Sequence, residues 1–236
     1  MTLWRAMTGG ETGKWSFWKF NWLANHKILA ALERARVHAR GELLDMGCGR
    51  KPFAPLFAGR ITRYWGTDLS VSPYLGAARL DAYARAEAQP FRDGSFDTVL
   101  GLSMLTYLPE PIRMVREAHR VLKPGGVLLL EFTQMVPLHD EPYDFFRFTR
   151  YGAQYLLEES GFEPLEYIPI GGLWARVGLT MIAGLNRVNR GPTRVLTEIP
   201  VRILYAAIQL LCELLDRLFF DPREVLSHLV VARRRA

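Results

Sequence analysis

The chain is poor in cysteine, and the 236 residues include only Cys48 and Cys212. Two cysteines are too few for a disulfide framework, and these two do not stand at metal-ligand spacing. The pattern excludes a disulfide-stapled secreted module and predicts a metal-free protein of a reducing compartment. Long apolar runs are missing too. Charge-free apolar stretches such as ILYAAIQLLC (203–212) stop at about ten residues, half of the ~20 that a spanning helix needs. The N-terminus, MTLWRAMTGGETGKW, lacks the unbroken apolar core of a signal peptide. These absences predict a cytoplasmic protein without membrane spans. Acidic residues are outnumbered by basic ones, 24 to 30, which leaves a net charge of +6. That balance suits an anionic partner such as nucleic acid, an anionic membrane face or a phosphorylated substrate, but selects none of them.

What is present is a large globular core. Hydrophobic residues make up 49% of the chain and charged residues 23%, which argues for one domain with an elaboration and against disorder. From residue 42, short apolar runs alternate with amphipathic stretches, the mark of βαβ units around a parallel sheet. Strands are predicted at 42–46, 63–68, 78–83, 97–103, 126–132, 161–170 and 227–234. Helices are predicted at 26–39, 53–59, 109–122 and 150–160. The fold class is α/β, a doubly wound, mostly parallel seven-stranded sheet with a helical insertion before the last strand. Residues 41–170 and 227–236 form its core, 1–40 an aromatic-rich cap and 171–226 the insertion.

One turn carries chemistry. The run LLDMGCGR (43–50) places Asp45 at the carboxyl end of a strand and Gly47 and Gly49 in the turn beyond it. Ligands of open α/β sheets lie at such a position. A dinucleotide fingerprint G-x-G-x-x-G needs glycine at position 52, where Pro52 stands. The next strand ends in Asp68, well placed to accept both hydroxyls of a ribose. An adenosyl compound without a pyrophosphate fits both facts.

The ordered runs LLDMGCGRKPF, GTDLS, AEAQPFRDGSFDTVL and RVLKPGGVLLLEF resemble the class I S-adenosylmethionine (SAM) dependent methyltransferases, in particular the methyltransferase type 11 group. The block PLHDEPYDFFRFTRYGAQYLLEESGF (137–162) is similar to a branch of that group with members in cell-surface glycan gene clusters. The resemblance implies SAM as cofactor, with Asp45, Gly47 and Gly49 around its methionine part, Asp68 on the ribose and Leu69 against the adenine. It also implies a backbone contact from Ala86 to the adenine and a retained Ser103 in the site. The family's D-A-E-x-L-P-F reads R-A-E-A-Q-P-F here, so Arg85 replaces an acid. Its S-x-L-E-H reads S-M-L-T-Y, with Thr106 and Tyr107 at the last two places.

Methyl transfer to a hydroxyl profits from a general base. His139 is the candidate, in a loop with Asp140, Glu141 and Asp144, and Tyr107 serves as a hydrogen-bond donor. Tyr143, Asp144 and Arg147 are candidates for the acceptor pocket. The expected reaction methylates a small or lipid-linked hydroxylated acceptor, such as a glycan or glycolipid intermediate. A catalytically silent SAM-binding scaffold is the alternative, and a nucleic-acid acceptor is disfavoured. On a helical count, 201–220 gathers Arg202, Gln209, Glu213, Asp216 and Arg217 into one arc and leaves a broad apolar face. That helix could pack on the core, meet a partner or lie at the inner face of a membrane. Trp4, Trp15, Trp18 and Trp22 and the stretch 171–190 could join it there.

Overall fold

The computed structural model describes residues 18–75, 80–189 and 194–235. Trp4 and Trp15 lie outside the described residues. The chain divides into two compact units. Leu32–Gln134, Leu138–Ile168 and Ser227–Ala236 make an α/β unit, and the residues through Ala31, with Met135–Pro137 and Pro169–Leu226, make a helical unit.

Strands β1 (Gly41–Met46), β2 (Ile61–Asp68), β3 (Ala82–Tyr83), β4 (Phe96–Gly101), β5 (Leu122–Thr133), β6 (Phe162–Ile170) and β7 (Ser227–Arg234) form one sheet in the order β3-β2-β1-β4-β5-β7-β6. The pairings along β3-β2-β1-β4-β5 are parallel, and β7 runs antiparallel to β5. A parallel sheet needs cover on both faces, so its inner strands read as unbroken apolar runs. Leu43–Met46 of β1 and Val127–Leu130 of β5 are buried throughout. The chain runs outward from β1 to β2 and returns to β1's other side as β4. Their carboxyl ends therefore flank the switch point where a ligand settles.

Five helices accompany the strands among the described residues: α1 (Trp22–Ala35), α2 (Pro111–Val121), α3 (Arg150–Glu159), α4 (Leu173–Val188) and α5 (Arg194–Leu218). Pro111 opens α2, where its missing N–H costs nothing. Met114, Val115, Ala118 and Val121 recur on one side of α2 and join Leu128, Leu130 and Phe132 in the core of the α/β unit. Thr149 caps α3 by accepting from the Gly152 N–H at 3.1 Å.

Three elements differ from the sequence reading. The helix expected over 53–59 is a 3₁₀ turn, Ala54–Phe57, because prolines at 52 and 55 and positive φ at Gly59 leave no room for a full turn to propagate. The third strand is the two-residue β3, and 76–79 lie outside the described residues. Strand β5 begins at Leu122 rather than 126, since Leu122 pairs with Phe96 before the register shifts.

In the helical unit, α4 and α5 lie between β6 and β7 in the chain. Leu23, Ala175, Ile182, Tyr205, Ile208, Cys212 and Leu226 form its core. Polar groups of α5 are buried as well. Lys27 Nζ lies 2.8 Å from Glu213 and 2.9 Å from Asp216, and Asp216 accepts from the Gly172 N–H at the start of α4. Gln209 accepts from the Leu23 N–H and donates to the Lys19 carbonyl.

Candidate active site

The turn after β1 is shaped by two glycines. Gly47 has φ +78° and packs so tightly under Met104 that a Cβ there would sit 2.2 Å from the Met104 sulfur. Gly49, at φ +50°, donates its N–H to Asp68 Oδ2 at 2.8 Å. The other Asp68 oxygen accepts from the Leu69 N–H at 2.7 Å. Two backbone donors thus fix this nearly buried carboxylate, and each oxygen keeps a lone pair for a ligand hydroxyl. The Leu69 side chain is half exposed just past it.

Asp45 is fully buried one residue before the end of β1 and accepts from the Tyr64 hydroxyl at 2.5 Å. Burial pushes its carboxyl up to about 7, with Asp68 adding to the rise while Tyr64 and Lys51 oppose it. A buried acid in that state gains from a cation set beside it. SAM carries a sulfonium and an ammonium, so Asp45 and Asp68 together fit this cofactor.

Ala86 is buried in a turn closed by the Ala88 N–H on the Arg85 carbonyl. Gln89 ties the turn to β2, donating to the same carbonyl at 2.8 Å and accepting from the Thr67 hydroxyl at 2.9 Å. Arg85 points into solvent and pairs with Glu87. Beyond β4, Ser103 adopts φ +55°, unusual for a residue with a side chain. Its N–H and hydroxyl both donate to Glu131 Oε2, at 2.8 and 2.7 Å, from β5. Burial raises the Glu131 carboxyl above its ordinary range. The Ser103 hydroxyl is therefore engaged with Glu131, which orients the β4 turn.

Of the acceptor-side candidates, four come together. His139 Nε2 lies 2.8 Å from the Tyr107 hydroxyl, and Asp144 stands 3.5 Å from Nδ1 and accepts from the His139 N–H at 3.0 Å. Arg147 grips both Asp144 oxygens, which holds that carboxyl down to about 2. Tyr143 is not part of this chain. Its ring is exposed, and only its N–H reaches back, to the Asp140 carbonyl.

Two further members join them: Tyr74, which was not anticipated, and Asp140, which the sequence offered only as a loop neighbour of His139. Asp140, held at φ +53°, accepts from the Tyr107 hydroxyl at 3.0 Å and from the Tyr74 hydroxyl at 2.5 Å. The backbone of Tyr74 lies beside Gly49. Tyr74 accordingly connects the glycine turn to the His139 cluster. Burial, then Asp140, pushes the Tyr74 phenol up to about 12, and the same causes raise Tyr107, so both stay protonated donors. A single tyrosine in a polar loop gives no sequence signal. Asp140 differs from its acidic neighbours only in this fold.

The profile of a methyltransferase domain family matches residues 44–130, from β1 through β5. Ubiquinone biosynthesis O-methyltransferase of Pseudomonas aeruginosa is 31% identical over 137 residues, which cover 53% of this chain and 56% of that protein. The chain spans little more than half the length of such curated relatives. Among solved structures, the [4+2]-cyclase SpnF superposes with a TM-score of 0.60 at 22% identity over 89% of this chain and 82% of that one. The Burkholderia thailandensis 1,6-didemethyltoxoflavin-N1-methyltransferase, solved with S-adenosylhomocysteine, gives a TM-score of 0.55 at 14% identity over 91% and 79%. These two likenesses bear on the fold, and the matched profile bears on the domain. Over residues 44–130 the chain therefore matches a SAM-dependent methyltransferase domain.

Proposed function

We propose that this protein transfers the methyl group of SAM to a hydroxyl of a small or lipid-linked acceptor, with His139 as general base. The observation that carries this reading is the array Asp144, His139, Tyr107. A carboxylate lies on one side of an accessible imidazole and a protonated phenol on the other. The relatives' name as O-methyltransferases supports oxygen as the acceptor atom.

SAM supplies an electrophilic methyl group on a positively charged sulfur. Asp68, pinned by Gly49 and Leu69, takes the ribose hydroxyls, and Asp45 faces the cationic methionine end. Gly47 and Gly49 let the cofactor approach the backbone, Ala86 supplies a backbone group at the adenine, and the Ser103 turn, braced by Glu131, borders the methionine end. Tyr107 yields Nε2 of His139 to the acceptor hydroxyl. Bound SAM would supply the methyl group to the acceptor oxygen and be left as S-adenosylhomocysteine, while His139 would take up the hydroxyl proton. Asp144 stabilises the resulting imidazolium, and Arg147 keeps Asp144 ionised and in place. Tyr143 offers an exposed ring to the acceptor, for which a glycan or glycolipid intermediate is the class favoured. Positioning and exclusion of water do most of the remaining work.

A second reading, a SAM-binding scaffold without turnover, draws on Arg85, which points into solvent and leaves the adenine without the family's acidic partner. Incubating polar and lipid extracts with the protein and isotopically labelled SAM separates the two. Label in a product recovered by mass spectrometry, reduced about 10²-fold by His139→Ala with SAM affinity unchanged, is the expected result. SAM binding without methyl consumption across the extracts would establish the scaffold instead.

A further inference from the structure

Helix α5 is turned with its polar residues inward. From 203 to 220 the exposed positions are Ile203, Leu204, Ala207, Leu210, Leu211, Leu214, Arg217, Leu218, Phe219 and Phe220, all apolar except Arg217. The buried positions include Gln209, Glu213 and Asp216, which are taken up by Lys27 and by backbone groups at Lys19, Leu23 and Gly172. Leu211 is 57% exposed and Leu218 64%, and Ile199, also exposed, extends the stripe by a turn. At 1.5 Å per residue the face is about 30 Å long. An apolar surface of that extent marks an interaction site.

We infer that this face of α5 docks on an anionic lipid bilayer, lying in the plane of its interface. No described helix is long and apolar enough to cross a membrane. A helix of modest mean hydropathy with one broad apolar side rests among the headgroups. Charge selects the occupant. Among the described residues, the helical unit holds eight Lys and Arg but five Asp and Glu, an excess of three positive charges. A second copy meeting this face would bring the same excess against it, whereas anionic headgroups are attracted. Phe219 and Phe220 lie exposed at the C-terminal end of the face beside Arg217 and Arg223, which pair with Glu213 and Asp221 and stay largely in solvent. Aromatic rings and arginines suit the headgroup layer. This inference goes beyond the reaction proposed above and does not depend on its acceptor.

The test is flotation of the full chain with phosphatidylcholine vesicles, either alone or containing about one-quarter phosphatidylglycerol. The protein should rise with the anionic vesicles, less with the neutral ones, and less again as salt is added. Leu211→Asp/Leu214→Asp, and the milder Leu211→Ser/Leu214→Ser, should cut flotation by about tenfold or more while circular dichroism and SAM binding stay as in the parent. Absence of flotation by the parent chain overturns the inference. So does loss of fold in both variants, which would make the face part of a packed interior. A concentration-dependent dimer in sedimentation that the substitutions dissolve assigns the face to a second copy and overturns it equally. SAM binding is read in every arm, so failure here stays distinct from failure of the methyltransferase reading.

Discussion

Asp68 is held by the fold in a way that suits the ligand role proposed for it. Its two oxygens are held by the N–H groups of Gly49 and Leu69, so the carboxylate is aimed before any cofactor arrives. On the proposed placement of the ribose, Asp68→Ala removes charge-assisted bonds to its hydroxyls and also frees the Gly49 turn. SAM affinity should fall by on the order of 2–3 kcal/mol, or ~10²-fold. Asp68→Asn keeps one acceptor oxygen and should fall between the two. Calorimetric titration checks both, and an unchanged affinity in the alanine variant would remove the ribose from this position. Much at this scale was legible. An acid before a G-x-G turn says little alone, but a second acid ending the next strand and Pro52 against a dinucleotide drew attention to this turn. Glu131 was not legible, because a lone acid in the apolar run LLLEF reads as an edge residue until the positive φ of Ser103 brings its N–H and hydroxyl onto it.

Among the elements, the parallel strands were the easiest to foresee, since strands buried on both faces leave continuous apolar runs between glycine and proline turns. Periodicity also gave the two faces of α5. It could not give their orientation, which depends on Lys27, 186 residues before Glu213, supplying a cation to that carboxylate and to Asp216. Hydrophobicity alone turns the leucines inward. The buried ion cluster turns them out. Lys27→Met therefore leaves Asp216, which has no exposed side-chain surface, without its cation, while Glu213 keeps Arg217. Removing one partner from such a cluster costs about 3–5 kcal/mol. Urea unfolding followed by circular dichroism should show that loss in the helical signal. Restoring much of it with Lys27→Met/Asp216→Asn would show that the cost is electrostatic rather than lost packing.

For the molecule as a whole, the proposed placement of SAM would link fold, proton and cofactor through Asp45. In the cofactor-free protein its carboxyl titrates near 7, against 3.8 for an unperturbed aspartate, chiefly because burial penalises the charge. Between these values the native state holds a proton that the unfolded chain has released. Stability follows the difference in bound protons between unfolded and native states, so this group makes the free protein less stable as pH rises from about 4 to about 7, with no further change above. A cationic ligand reverses the preference, because a sulfonium and an ammonium beside Asp45 favour its ionised form. Binding SAM below pH 7 must then expel the proton, and affinity should climb with pH up to about 7 and level off beyond it. Titrations at pH 6 in two buffers of different ionisation enthalpy should give heats that differ by close to one proton's worth, and at pH 8.5 the difference should vanish. Asp45→Asn should abolish the effect at pH 6 and flatten the decline in thermal stability of the free protein over the same window. Equal heats in the two buffers at pH 6 would place the cofactor's cationic end away from Asp45.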